Sequence, residues 1–169
     1  MLTQEQVASY HAEGYISVPG VLSAGEIAEL RQVTDEFVEK SRQATDHTDV
    51  FDLEPGHTPQ APRLRRLKFP ENLHPAYDRV CRCKHILDMV AQLVGPAVRH
   101  FGGKLNMKSA GFGSSVEWHQ DFAFGNTRSN DDMLAVGVAI DEMTLENGCL
   151  LVVAGSHKGP VFNHFQEDV

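Results

Sequence analysis

No apolar run in this chain approaches the length needed to cross a bilayer. The opening residues, Met1-Leu2-Thr3-Gln4-Glu5, do not form a secretory leader, so the expected location is the cytoplasm. Basic residues are in the minority. Fifteen Lys and Arg against 23 Asp and Glu leave a formal net charge of −8, which argues against non-specific nucleic-acid binding, since that needs a basic footprint. Cysteine is scarce and odd in number, with three in all. Cys81 and Cys83 form a Cys-x-Cys beside His85, and Cys149 lies far away. A zinc site on Cys81, Cys83 and His85 would lack a paired second knuckle. Reduced thiols, partly buried at a helix start, account for them better. There is no internal repeat and no low-complexity segment. What remains is ordinary globular composition: 169 residues, 41% hydrophobic and 22% charged, enough for one domain with a real core and too few for two.

Local signals divide the chain into a helical first part and a second part richer in strand patterns. Thr3-Gln4-Glu5-Gln6 is a capping box that opens a short helix ending at Gly14. Tyr15-Ile16-Ser17-Val18 reads as a short strand closed by Pro19-Gly20. Ser23-Ala24-Gly25-Glu26 is a second capping box, and Ile27, Leu30, Val33 and Phe37 recur at helical spacing to about Ser41. Residues 43–62 are polar and hold Pro55, Gly56, Pro59 and Pro62, which predicts a loop with His47 and His57 at the surface. Arg63-Leu64-Arg65-Arg66-Leu67-Lys68 alternates apolar and basic residues, as a strand edge would. Its cations are either a solvated face or an anion site for a carboxylate, which a guanidinium binds at two points. From Lys84, the residues Ile86, Leu87, Val90, Leu93 and Val94 share one helix face, and Gly95-Pro96 stops the helix. Beyond Ala97 the pattern changes. Val98 to Met107 and Leu134 to Ile140 read as strands, the second of them buried. Asn147-Gly148 is a turn signal that returns the chain along Cys149-Leu150-Leu151-Val152-Val153.

The chemistry concentrates at Trp118-His119-Gln120-Asp121-Phe122. If this stretch is extended, residues two apart point to one face, so His119 and Asp121 can reach one metal ion together. An imidazole and a carboxylate with open positions begin the facial triad of non-haem Fe(II) oxygenases, which also needs a second histidine. A lone His-x-Asp pair is weak evidence, and a solvated pair is its plain explanation. The setting strengthens it: Gly111, Gly113, Ser114 and Ser115 precede the pair and Phe122 and Phe124 follow, as at the mouth of a site. Arg128, further on, reads as a solvated loop residue.

Three stretches together resemble the phytanoyl-CoA dioxygenase family of Fe(II)- and 2-oxoglutarate-dependent oxygenases. They are Leu2-Thr3-Gln4-Glu5-Gln6-Val7 through Gly14-Tyr15 to Pro19-Gly20-Val21-Leu22-Ser23; Trp118-His119-Gln120-Asp121; and Glu146-Asn147-Gly148-Cys149-Leu150 with Gly155-Ser156-His157-Lys158-Gly159. Their order and spacing run almost end to end. The resemblance implies an α+β fold in which N-terminal helices (1–96) pack on a double-stranded β-helix, a cupin-like jelly roll (97–169). It implies Fe(II) held by His119 and Asp121, with 2-oxoglutarate and O2 used to hydroxylate a small-molecule substrate. Arg63 and Lys104 correspond loosely to positions that meet 2-oxoglutarate, with Lys108 competing for the role of Lys104. A tryptophan that some members place against the co-substrate falls at Gly137 here.

The family continues past the Gly-Ser-His-Lys segment into further barrel strands, which carry the second iron histidine and an arginine for 2-oxoglutarate. By that pattern the chain reads as one domain, 1–169, with its C-terminal strands missing. His157 would then order a turn, His164 could reach the metal only if the tail folds inward, and His100 is a packed or edge residue. The alternative is a catalytically inactive binding module of the same fold, whose unclosed barrel edges invite self-association. A cupin-like zinc or manganese protein fits the metal pair but not the family segments.

Overall fold

The computed structural model describes residues 1–124 and 133–164. Arg128 lies outside the described residues. The opening follows from its caps. Helix α1, Gln4–Glu13, begins at Thr3, whose hydroxyl accepts from the Gln6 N–H while the Gln6 side chain returns the bond. It ends at Gly14, whose φ of 85° is left-handed. Helix α2, Ala24–Lys40, begins in the same way at Ser23 and Glu26. Its stripe of Leu30, Val33 and Phe37 is buried, as the spacing predicts. Tyr15–Val18, expected as a strand, forms no ladder and stays irregular.

The sheet has three antiparallel strands in the order β1 (Phe51–Leu53), β2 (Leu64–Lys68), β3 (Lys104–Asn106). The basic run is therefore the central strand and not an edge. The predicted loop over 43–62 contains β1. Leu64 and Leu67, three residues apart, are 1% and 0% exposed, although a regular strand would point them to opposite faces. Asp52 pairs with Arg66 and Leu53 with Leu64, so the register slips by one residue between Asp52 and Leu53. Such a bulge restores both leucines to the covered side. The cations beside them serve Asp52: Arg66 Nη1 lies 3.3 Å and Lys68 Nζ 3.1 Å from its carboxylate.

Two further helices follow. Helix α3, Pro75–Cys81, was not expected. Its signal is local: Pro75 sits at the first helical position, and His74 Nδ1 accepts from the Ala76 N–H at 3.2 Å. Helix α4, Lys84–Val94, stops at Gly95 as read. Cys81 and Cys83 flank the α3–α4 junction and are free and half-buried, and among the described residues no cluster suited to a metal includes them. The core joins α2, β2 and α3 through Leu30, Val33, Phe37, Leu67, Ala76 and Tyr77. No described helix is long and apolar enough to cross a membrane.

The strand patterns beyond residue 97 are mostly not realised. Val98–Met107 contracts to β3. Neither Leu134–Ile140 nor Cys149–Val153 forms a ladder, and Leu150, Leu151 and Val153 are more than half exposed. A strand needs a hydrogen-bonding partner, and no described residues form a ladder with these segments, although Ile140 packs against the core. The Asn147-Gly148 turn does form: Asn147 Oδ1 accepts from the Thr144 N–H at 2.8 Å, and Asn147 Nδ2 donates to the Glu142 carbonyl at 2.7 Å. The described chain thus shows helices on a small antiparallel sheet, without a closed barrel.

Leu67 is the most enclosed side chain of the central strand, so Leu67→Ala should cost about 2–5 kcal/mol of stability. Urea unfolding checks this: the midpoint should fall with little change in slope. An unchanged midpoint would mean that β2 is not the centre of the core.

Candidate metal site

The chain bends at Trp118, and Asp121 opens a single helical turn, α5 (Asp121–Phe124). The expected extended segment is thus a bend into a turn. The pair still converges: His119 Nε2 lies 3.2 Å from Asp121 Oδ1. Two donors about 2.1 Å from one ion and at right angles would be about 3 Å apart, so the spacing suits neighbouring ligands. Both side chains reach solvent, at 32% and 60% exposure, so an ion has access.

A backbone carbonyl also selects one tautomer of the imidazole. His119 Nδ1 lies 2.7 Å from the Glu117 carbonyl oxygen, which can only accept, so Nδ1 carries the proton. In the neutral ring Nε2 then presents a lone pair beside a carboxylate oxygen. Two acceptors so placed need a proton or a cation between them. A proton gives an imidazolium–carboxylate pair; a metal ion gives a ligand pair whose ring is oriented by a backbone carbonyl.

Gln120, between the two, clasps the returning tail. Its side-chain oxygen accepts from the Phe162 N–H at 2.8 Å, its amide nitrogen donates to the Pro160 carbonyl at 3.1 Å, and its backbone N–H donates to His164 Nε2 at 2.9 Å. Residues 160–164 therefore do turn inward and bring His164 to the motif. His164 Nε2, however, points its lone pair at the Gln120 N–H. Among the described residues no group of three or more His, Cys, Asp and Glu could hold a metal ion. The fit is thus to two ligands of a set. His157, expected to order its own turn, instead meets the end of α1: its Nε2 lies 3.2 Å from the His11 carbonyl, and the Gly155 N–H donates to the Glu13 carbonyl at 2.7 Å. A side chain on Gly14 would strike the His157 ring. His100 Nδ1 stands 3.9 Å from Glu71 at the sheet margin.

The predicted cationic residues occupy separate settings. The Arg63 guanidinium lies 3.4 Å from the centre of the Phe112 ring. Lys104 is exposed on β3 opposite Lys68. Lys108 donates to the Ser114 carbonyl. One carboxylate escaped the sequence reading. Glu54, 3% exposed, accepts from the Ser114 N–H at 3.0 Å and also from the Ser114 hydroxyl. Burial pushes the Glu54 carboxyl up, but the two Ser114 bonds, with Arg65 and Lys108 nearby, outweigh it and hold it below the ordinary range.

The sequence model of the phytanoyl-CoA dioxygenase family matches residues 10–168. A probable alpha-ketoglutarate-dependent hypophosphite dioxygenase of Stutzerimonas stutzeri is 30% identical over 160 residues, which cover 95% of this chain and 55% of that protein. An L-proline trans-4-hydroxylase of Streptomyces griseoviridis is 30% identical over 156 residues, covering 90% of this chain and 54% of its own length. Among solved structures, iron-bound EctD from S. alaskensis superposes with a TM-score of 0.62 at 24% identity, covering 72% of this chain and 41% of that one. The chain spans about half the length of the curated relatives it matches.

The lowered Glu54 carboxyl has a pH consequence. A folded-state value below the unfolded one gives stability that is present above the ordinary carboxylate range and lost as pH falls through the folded value. The stability difference between the parent chain and Ser114→Ala should therefore be constant near neutral pH and shrink in acid. Urea titrations across pH test this, and a difference independent of pH would contradict it. Asn147→Ala should cost about 1 kcal/mol through the lost turn bonds, and an undiminished urea midpoint would contradict that.

Proposed function

This chain belongs to the phytanoyl-CoA dioxygenase family, and from that premise we propose that it carries the metal-binding motif of an Fe(II)- and 2-oxoglutarate-dependent dioxygenase acting on a small organic molecule. The observation that carries the reading is the His119–Asp121 pair, 3.2 Å apart, with the imidazole held by the Glu117 carbonyl in the tautomer a metal requires. His119 Nε2 and one Asp121 oxygen would hold Fe(II). When bound there together with 2-oxoglutarate and O2, Fe(II) would supply an oxidation in which a substrate C–H becomes C–OH while 2-oxoglutarate becomes succinate and CO2.

The chain's own residues position the pair. Glu117 fixes the imidazole plane. Gln120 ties the motif to residues 160–164. Arg63 and Lys104 are the cations we assign to 2-oxoglutarate. The Arg63 guanidinium lies over the Phe112 ring, and a guanidinium binds a carboxylate at two points. We read residues 1–169 as one domain in which part 97–169 contributes to a double-stranded β-helix. The relatives' names cover a phosphorus oxyanion and an amino acid, and nothing here calls for a coenzyme A thioester.

His119→Ala and Asp121→Ala should each weaken Fe(II) binding by more than the roughly 10–100-fold that an outer-shell partner is worth, while the fold is retained. Calorimetric titration under anaerobic conditions reads the affinity, and circular dichroism the fold. Fe(II) binding that survives both changes would sink the assignment.

A further inference from the structure

We propose that Glu54 is a positioning residue for the metal-binding motif, anchoring at Ser114 the loop that leads into His119. The loop has little apolar burial to hold it: Phe112, Val116 and Trp118 are 55%, 60% and 65% exposed. A segment with so few buried contacts opens easily unless polar ties hold it. Ser114 supplies those ties with every polar group it has. Its N–H and hydroxyl donate to the two oxygens of Glu54, and its carbonyl accepts from Lys108 Nζ.

Glu54 is itself rigidly seated. It directly follows β1, its N–H donates to the Arg63 carbonyl at 2.8 Å, and its carbonyl accepts from the His57 N–H at 3.1 Å. Burying a carboxylate is costly unless hydrogen bonds replace its water, and here both bonds come from a single loop residue 60 positions away. A second tie lies beside the first. Arg63 stacks on Phe112, and a side chain on Gly56 would come within 2.8 Å of the same guanidinium. Residues 112–114 are thus fastened to the β1–β2 connection just before Glu117, whose carbonyl orients His119. The route from Glu54 to the metal pair is short: hydrogen bonds to Ser114, three residues of backbone to Glu117, and the Glu117 carbonyl bond to His119.

The consequence for metal binding rests on the assignment of His119 and Asp121 above; the anchoring does not. The test uses the whole chain with Glu54→Ala, Glu54→Gln and Ser114→Ala, probed by limited chymotrypsin digestion and by anaerobic Fe(II) titration. Glu54→Ala should raise cleavage after Phe112 by about tenfold or more and weaken Fe(II) binding about 10–100-fold. Glu54→Gln should rescue most of both, because its amide can accept from the Ser114 N–H and donate to the hydroxyl. Ser114→Ala, which loses the hydroxyl bond and keeps the N–H bond to Glu54, should fall between. Wild-type cleavage after Phe112 in both Glu54→Ala and Ser114→Ala overturns the anchoring. So does cleavage that rises evenly along the chain, which would mark a general structural role. Selective cleavage with no Fe(II) binding by the parent chain instead sinks the metal assignment, and the positioning role with it.

Discussion

Burial of one face of β2 against α2 and α3 is the constraint on which the rest of the structure depends. Leu67 enters the cluster of Leu30, Val33, Phe37, Ala76 and Tyr77, and β2 is the one strand that pairs with both others. With β2 held, β1 and the buried carboxylate after it are placed on one side, and β3 on the other. The loop that follows β3 then meets that carboxylate at Ser114. The candidate metal pair has little packing of its own. Its order is borrowed from the core through polar contacts: Glu54 to Ser114, Glu117 to His119, and Gln120 to residues 160–164.

The parts of the fold that were legible in the sequence are those encoded locally. Both capping boxes sit where Thr3 and Ser23 announce them, and the stripe of α2 faces the core, because a helix satisfies its backbone within a few residues. Strands need partners remote in the chain, and here the reading failed in both directions. The basic run Arg63–Lys68 lies at the centre of the sheet, where two leucines are buried through a bulge that no pattern of alternation reveals. Leu134–Ile140 and Cys149–Val153 have strand composition but no partner among the described residues, so they stay out of any ladder.

At the site, residue type was legible and geometry was not. The His-x-Asp spacing pointed to the pair, though a bend and a helical turn bring the side chains together in place of a strand. The inward fold of the tail was one of the outcomes the sequence allowed, but the direction of the His164 lone pair depends on a single backbone N–H. Glu54 could not be read at all, since its meaning lies in a serine 60 residues away. Arg63 was singled out as a cation for a carboxylate; its stacking on Phe112 depends on a residue far along the chain.

The role proposed for His119 and Asp121 is to begin an iron centre that takes 2-oxoglutarate. Anaerobic addition of Fe(II) and then 2-oxoglutarate to the chain, followed by visible spectroscopy, tests it most directly. A weak charge-transfer band that requires both additions and is absent with either alone is the expected result. Bound Fe(II) with no band on saturation with 2-oxoglutarate would contradict it.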